Sequence, residues 1–217
     1  MLTGLADLVL PPGGGLVVVL EDGAADRRHP CPRALCRELG LACLEPRDVP
    51  ALRDLADHAG ALSTAVHRPV AIVVHDFIWR SGETVDVRPN RVTAATYPHL
   101  HRRRVMRRVR LVAGQDMLTC GRRLELNRSR AMPNPGERAP VGFVTVGPCD
   151  DVLMHVTRTL HLQGRVPMLH VQLVHPLDDA AVGRMLLRCE RVIVLEPRPG
   201  HVEAAVLQLA ERLRQQG

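Results

Sequence analysis

The chain has 217 residues, a net charge of +6 and a pI near 9.5, and 46% of its residues are hydrophobic. This length fits one large or two small domains, and this apolar content excludes a disordered chain. No apolar run approaches the ~20 residues that cross a bilayer, and the N-terminal residues 1–15 carry no basic region. We therefore expect a cytoplasmic protein with no membrane partner.

The first half of the chain alternates short apolar runs with segments of helical spacing. Three runs predict buried strands: Leu16–Leu20, Leu41–Leu44 and Val70–Val74. Between them, Gly40 predicts the end of one helix, and Asp48 predicts the N-cap of the next.

The second half repeats this alternation. Its apolar runs are Val141–Val146, Met168–Val174 and Arg191–Leu195. Strands that alternate with helices predict βαβ units and a parallel sheet. Ligands of such sheets bind beyond the carboxyl ends of the strands, so we expect any functional surface there.

The pattern as a whole predicts an α/β fold made of two small three-layer modules with mainly parallel sheets. We predict one module in residues 1–88, a basic helical linker in residues 89–138 and a second module in residues 139–217.

Five residues are candidates for a functional site. His75 and Asp76 follow a predicted strand and could transfer protons, although ordinary turn residues would look the same. Arg27 and Arg28 could bind an anionic substrate or a diphosphate, or they could simply be part of a solvated loop. Gly147 lies at a strand-to-helix turn and could present amides to an anion.

The sequence does not predict a metal site. None of the six cysteines has CxxC spacing, and no His-x-x-x-His pair lies on one predicted helix.

A run of arginines lies within the predicted linker: Arg102, Arg103, Arg104, Arg107, Arg108 and Arg110. Such a run can bind phosphate backbones, but aromatic residues for base stacking are nearly absent around it. A solvated or partner-facing helix is the simpler interpretation, and we do not expect nucleic acid as the partner. The alternative, binding of nucleic acid by these arginines, requires an affinity that falls steeply as the salt concentration rises.

Several short sequence segments, taken in order, resemble those of a known family. They are GGLVVV at residues 14–19, GLACLEPRD at 40–48, RPV at 68–70, LNR at 126–128, VTVG at 144–147, HPL at 175–177 and VLE at 194–196. In this order and spacing, the chain resembles the α subunit of indolepyruvate:ferredoxin oxidoreductase, one of the thiamine-diphosphate-dependent 2-oxoacid:ferredoxin oxidoreductases.

The resemblance implies a fold and a role for each half. Residues 1–88 correspond to the later part of the pyrimidine-binding domain, and residues 139–217 to the transketolase C-terminal-like domain. The family's activating glutamate would precede Met1, and its GDG…N segment for Mg²⁺ and diphosphate and its CxxC clusters for iron–sulfur centres do not occur. Thiamine diphosphate with Mg²⁺ is therefore expected only if partner chains complete the site, and none is expected on the isolated chain.

Two hypotheses follow. The chain is a subunit of such an oxidoreductase and is not active alone, with diphosphate-domain and iron–sulfur chains as partners. Alternatively, it is a non-catalytic assembly or regulatory protein that keeps the family's fold and homo-oligomer surfaces.

Overall fold

The computed structural model of the chain describes residues 2–5, 7–11, 14–23, 31–86, 117–198 and 200–216. A short 3₁₀ turn at Leu2–Leu5 precedes the first strand. The elements before residue 86 are β1 Val17–Asp22, α1 Pro32–Leu39, β2 Ala42–Leu44, α2 Val49–Val66, β3 Val70–His75 and α3 Asp76–Arg80.

The first sheet has the strand order β1-β3-β2-β7, where β7 is Leu173–His175. Strands β1, β3 and β2 are parallel, as the alternation predicted. All six residues of β3 are buried, because helices cover both faces of a central parallel strand.

The helix ends follow the sequence signals. The Asp48 carboxylate accepts a hydrogen bond from the Ala51 amide at 2.6 Å and caps α2, as predicted. Gly40 ends α1 with φ = 63°, and its amide donates to the carbonyls of Arg37 and Cys36.

The second sheet has the strand order β4-β6-β5-β8. Its strands are β4 Asn127–Arg130, β5 Ala139–Val146, β6 Met168–Val171 and β8 Cys189–Leu195. Its helices are α4 at residues 117–123, α5 Cys149–Thr159, α6 Asp179–Arg188 and α7 Val202–Gln216. Strands β6, β5 and β8 are parallel, and β4 is antiparallel to β6.

One strand prediction was wrong. The run Met168–Val174 is not a single strand, because the chain leaves the second sheet after Val171 and joins the first sheet at Leu173. There β7 pairs antiparallel with β2. The Asn127 side chain accepts hydrogen bonds from the amides of Gln172 and Leu173, both at 3.1 Å, and so stabilises the crossing.

The two sheets share a hydrophobic core. One cluster of buried side chains joins Cys43, Ala71 and Val73 of the first sheet to Val144 and Leu169 of the second. A second cluster packs α2 against the first sheet. The α/β fold with two mainly parallel sheets is thus confirmed, while the division at residues 88 and 139 stays a prediction.

Only part of the predicted linker can be described. Residues 117–123 are helical, whereas Asn127–Arg130 form an edge strand that the sequence did not predict. The arginine run at residues 102–110 lies outside the described residues. Within the described parts of the chain, no helix has the length and apolar character needed to cross a membrane.

A glycine in β5 tests the packing of the second sheet against α6. A Cβ added to Gly142 would lie 2.5 Å from the Cys189 sulfur and 2.8 Å from the Met185 methyl. We expect Gly142→Ala to lower the free energy of unfolding by about 1–3 kcal/mol, because this core has no space for the methyl group. Urea unfolding measures the loss.

Gly60, in α2, provides the matched control, since a Cβ there meets nothing within 4 Å. Gly60→Ala should stabilise the protein by roughly 0.5–1 kcal/mol through helix propensity. Equal effects of the two substitutions would contradict the packing described for β5.

Candidate functional site

Three neighbouring parallel strands of the first sheet end in ionisable residues. Asp22 ends β1, His75 ends β3 and Glu45 follows β2, and Asp22 and His75 are direct partners in the strand register. Arg33 from α1 and Arg198 from the turn after β8 reach the same edge. We call Asp22, Arg33, Glu45, His75 and Arg198 the strand-end cluster.

The Arg33–Glu45 ion pair is the centre of this cluster. Both guanidinium and carboxylate are almost fully buried, and the contact is bidentate, from Nε to Oε1 and from Nη2 to Oε2 at 2.6 Å. Burial alone would lower the pKa of Arg33, but Glu45 and Asp22 outweigh burial and raise it above its usual value. Arg33 therefore stays charged.

Arg33 also connects the pair to its neighbours. Its Nη2 lies 3.5 Å from Nε2 of His75, and its Nη1 lies 3.5 Å from the Arg198 carbonyl oxygen. The pair thus links α1 and β2 to the end of β3 and to the turn after β8.

Asp22 is fully buried between two basic groups. Its carboxylate lies 3.2 Å from Nε2 of His75 and 2.8 Å from Nε of Arg198. Burial alone would raise the pKa of Asp22, but His75, Arg198 and Arg33 outweigh it and hold the pKa below its usual value. Among the described residues, neither oxygen of Asp22 accepts a well-oriented hydrogen bond, so its contact with Arg198 is an ion pair and its contact with His75 is a close polar contact.

Gly147 approaches this cluster from the second sheet. It has φ = 52°, and an added Cβ would lie 3.3 Å from Oε2 of Glu45 and 3.6 Å from the Pro46 carbonyl. The turn after β5 therefore faces Glu45 directly. The binding of an anion by the amides of this turn stays a prediction.

The other predicted site residues are placed differently. Asp76 begins α3, where its carboxylate pairs with Arg80 of the same helix at 2.7 Å, while its neighbour His75 contacts Asp22. Arg27 and Arg28 lie outside the described residues.

The sequence interpretation missed Asp22, Arg33 and Arg198. Asp22 lies in the turn predicted after the first strand, and no sequence pattern assigns a partner to either arginine. Glu45 and Glu196 lie in comparable turns after strands, and the sequence predicts that each caps a helix or forms local hydrogen bonds. This prediction is wrong for Glu45, because its partner lies in α1. It is confirmed for Glu196, because its carboxylate accepts hydrogen bonds from the amides of residues 200–203 at the start of α7.

A second buried cluster lies in the second sheet. Asp150, at the start of α5, accepts hydrogen bonds from Thr145 at 2.8 Å and from Arg130 at 3.0 Å. Arg47 lies 3.6 Å from its other oxygen, and Nδ1 of His170 lies 3.6 Å from the first. We call these five residues the Asp150 cluster.

Burial is the main reason why His170 stays neutral. It lowers the pKa of His170 to about 4, with nearby guanidiniums acting in the same direction and Asp150 opposing them. For Asp150, burial would raise the pKa, but His170, Thr145 and Arg130 outweigh it and lower the pKa.

The strand-end cluster can hold or move a proton among His75, Asp22 and neighbouring groups. The carboxylates of Asp22 and Glu45 pair with the guanidiniums of Arg198 and Arg33. The cluster therefore has no excess positive charge among these four residues and does not form a diphosphate site by itself. No group of three or more His, Cys, Asp or Glu within the described residues could hold a metal ion. Burial raises the pKa of the nearby Cys149 thiol, which disfavours a thiolate nucleophile.

Comparison with known proteins establishes the fold class. Neither the protein-family scan nor the search of curated proteins finds a match. The chain has the same fold as 2-oxoglutarate:ferredoxin oxidoreductase from Magnetococcus marinus, solved with 2-oxoglutarate, coenzyme A and succinyl-CoA bound. The TM-score is 0.59 and the identity 12%, over 99% of this chain and 50% of that one.

A second solved structure is described as a split-gene transketolase in an inactive β4 tetramer. Its TM-score is 0.54 and its identity 15%, over 90% of this chain and 53% of that one. The chain thus spans about half the length of both proteins. The class that these comparisons define is the α/β fold of 2-oxoacid:ferredoxin oxidoreductases and transketolases, and at these identities the likeness concerns the fold alone.

The buried ion pair can be tested by removing one partner. We expect Glu45→Ala to lower the free energy of unfolding by about 3–5 kcal/mol, because Arg33 would remain buried without its bidentate partner. Urea unfolding at neutral pH measures this. Glu211→Ala is the matched control, since its pair with Arg214 is exposed and should contribute less than about 1 kcal/mol.

His170 gives a prediction for pH. In the unfolded chain the His170 imidazole is protonated below about pH 6.5, whereas in the folded protein it is protonated only below about pH 4. Stability should therefore fall by up to about 3 kcal/mol as the pH drops through this window and should be insensitive to His170 above it.

The comparison of the wild type with His170→Gln in urea unfolding at several pH values isolates this effect. Burial also lowers the pKa of His175 and of His201, but both residues are present in both proteins and cancel. An unchanged pH slope in the variant would show that His170 does not titrate as described.

Proposed function

We propose that the chain is a subunit of a thiamine-diphosphate-dependent 2-oxoacid oxidoreductase of the indolepyruvate:ferredoxin type, and that it is not active alone. The resemblance of its ordered sequence segments and the shared fold with 2-oxoglutarate:ferredoxin oxidoreductase support this proposal. In it, other chains supply the activating glutamate, the Mg²⁺ and diphosphate ligands and the iron–sulfur centres.

The observation that carries the proposal is the convergence of strand ends. Asp22, Glu45 and His75 from the first sheet meet Gly147 and Arg198 from the second at one edge. Open parallel sheets place their ligands at this edge. A buried histidine there, between a carboxylate and a guanidinium, is suited to proton transfer.

The roles proposed for individual residues follow from this placement. His75 is the candidate proton carrier, and Asp22 orients its Nε2. Arg27, Arg28 and the Gly147 turn are candidates for contact with an anionic group of a substrate or cofactor held mainly by a partner chain. Asp76 is a weaker candidate, because Arg80 already neutralises its carboxylate.

A specific observation also favours a second function, that of a non-catalytic assembly protein. The charges of the strand-end cluster neutralise one another. Val152 and Val156 of α5 and Leu160, which follows the helix, form an exposed apolar stripe. Such a stripe is typical of a surface that packs against another chain. The split-gene transketolase, whose structure is that of an inactive tetramer, has the same fold.

Co-purification separates the two functions. The tagged chain should be isolated from its own cells and its stoichiometric partners identified by mass spectrometry. A partner with a GDG…N segment or CxxC clusters is expected for the oxidoreductase subunit. Isolation of the chain alone, or only with copies of itself, would contradict the subunit and favour the assembly protein.

The purified assembly then tests the site. We expect His75→Gln to lower 2-oxoacid-dependent ferredoxin reduction at least tenfold while the complex stays intact on size-exclusion chromatography. The same change at His155, which is exposed on α5, is the matched control and should have no effect. Undiminished activity in His75→Gln would remove His75 from the site.

A further inference from the structure

A small cavity lies between α2 and the second sheet, and no residue of the strand-end cluster lines it. Its volume is about 90 Å³, and it is open at one side. The polar side chains that line it and matter here are those of Arg47, His58, Asp54, Arg128, Arg130 and His170. We call it the basic cavity.

The charges around this cavity do not cancel. Four guanidiniums lie at the cavity or pair with a residue that lines it, those of Arg47, Arg53, Arg128 and Arg130. The ion pairs between described residues join them to three carboxylates, those of Asp48, Asp54 and Asp150. One positive charge is therefore in excess even with both histidines neutral. A cation would be repelled, and a single anion would balance the cavity.

Arg128 supplies the excess charge. It is exposed at the rim, and no hydrogen bond or ion pair between described residues engages its guanidinium. Arg130 and Arg47, in contrast, share Asp150 behind the cavity. Arg128 and His170 face each other directly in the register of β4 and β6.

His170 provides an independent observation. The residue is only 1% exposed, and within the described structure its Nε2 is buried without a hydrogen-bond partner. The Thr145 hydroxyl donates its hydrogen to Asp150 Oδ1. Nδ1 of His170 lies near the hydroxyl oxygen of Thr145 and near Oδ1 of Asp150, which are both acceptors, so Nδ1 is the ring nitrogen that carries the hydrogen. Nε2 of the neutral ring is then an acceptor, and a buried acceptor needs a donor.

We propose that the basic cavity binds a singly charged phosphate group that still carries a P–OH proton. The phosphate oxygens meet the guanidiniums of Arg128, Arg47 and Arg130, and the P–OH group donates to Nε2 of His170. The site is independent of the proposed function, because it uses none of the residues assigned there.

Carboxylate, sulfate and water each satisfy only one of the two requirements. A carboxylate or sulfate ion at neutral pH balances the charge but brings no proton for Nε2. Water donates a proton but leaves the charge excess. Phosphate does both, as inorganic H2PO4⁻ or as a singly protonated monoester, whose second pKa is about 6.

The test is isothermal titration of the full chain with inorganic phosphate at pH 6 in a phosphate-free buffer, with methyl phosphate and sulfate in parallel. We expect saturable binding of phosphate and at least tenfold weaker binding of sulfate. Methyl phosphate that binds more tightly than inorganic phosphate would identify an organic phosphate as the ligand, and the reverse order would identify the free ion. Either order supports the site.

Two variants make the test specific. Arg128→Gln should weaken phosphate binding at least tenfold without changing the melting temperature, whereas Arg123→Gln, an equal charge change at an exposed position on α4, should leave it unchanged. His170→Asn should abolish the preference for phosphate over sulfate. Absence of saturable binding, equal binding of sulfate by the wild type, or equal losses in the two arginine variants would overturn the proposal.

Discussion

The buried Arg33–Glu45 ion pair is the constraint on which the strand ends depend. Two charges removed from water are tolerated only when each finds a close partner, and here the bidentate contact meets that demand. The remaining donors of Arg33 reach His75 and the Arg198 carbonyl, so one guanidinium fixes four chain segments at the same edge. The placement of His75 beside Asp22 follows from the parallel register of β1 and β3, and Arg33 contacts this His75 side chain.

The four residues after β2 contribute to the strand-end cluster, to the Asp150 cluster and to the basic cavity. Glu45 completes the buried pair, Arg47 reaches the Asp150 cluster and lines the basic cavity, and Asp48 caps α2. A short turn thus connects an edge suited to proton transfer with a cavity suited to an anion. A shift of this turn would affect both sites, although they share no lining residue.

The elements could be predicted from the sequence because each depends on local signals. The apolar runs gave five of the strands, and Asp48 and Gly40 marked helix ends that the structure confirms. The polar clusters could not be predicted, because Arg33 meets Glu45, and Arg130 meets Asp150, only after the chain has folded. The apolar run before His175 likewise does not reveal which sheet it will join.

The crossing at Gln172 has a consequence for the order in which the protein can be completed during synthesis. Strand β2 lies at the edge of the three parallel strands, and its free side pairs with β7, which is made more than a hundred residues later. Until then the nascent first sheet presents unpaired backbone groups, which invite pairing with other chains. The edge of β2 therefore stays open to such pairing until residues up to His175 have been added.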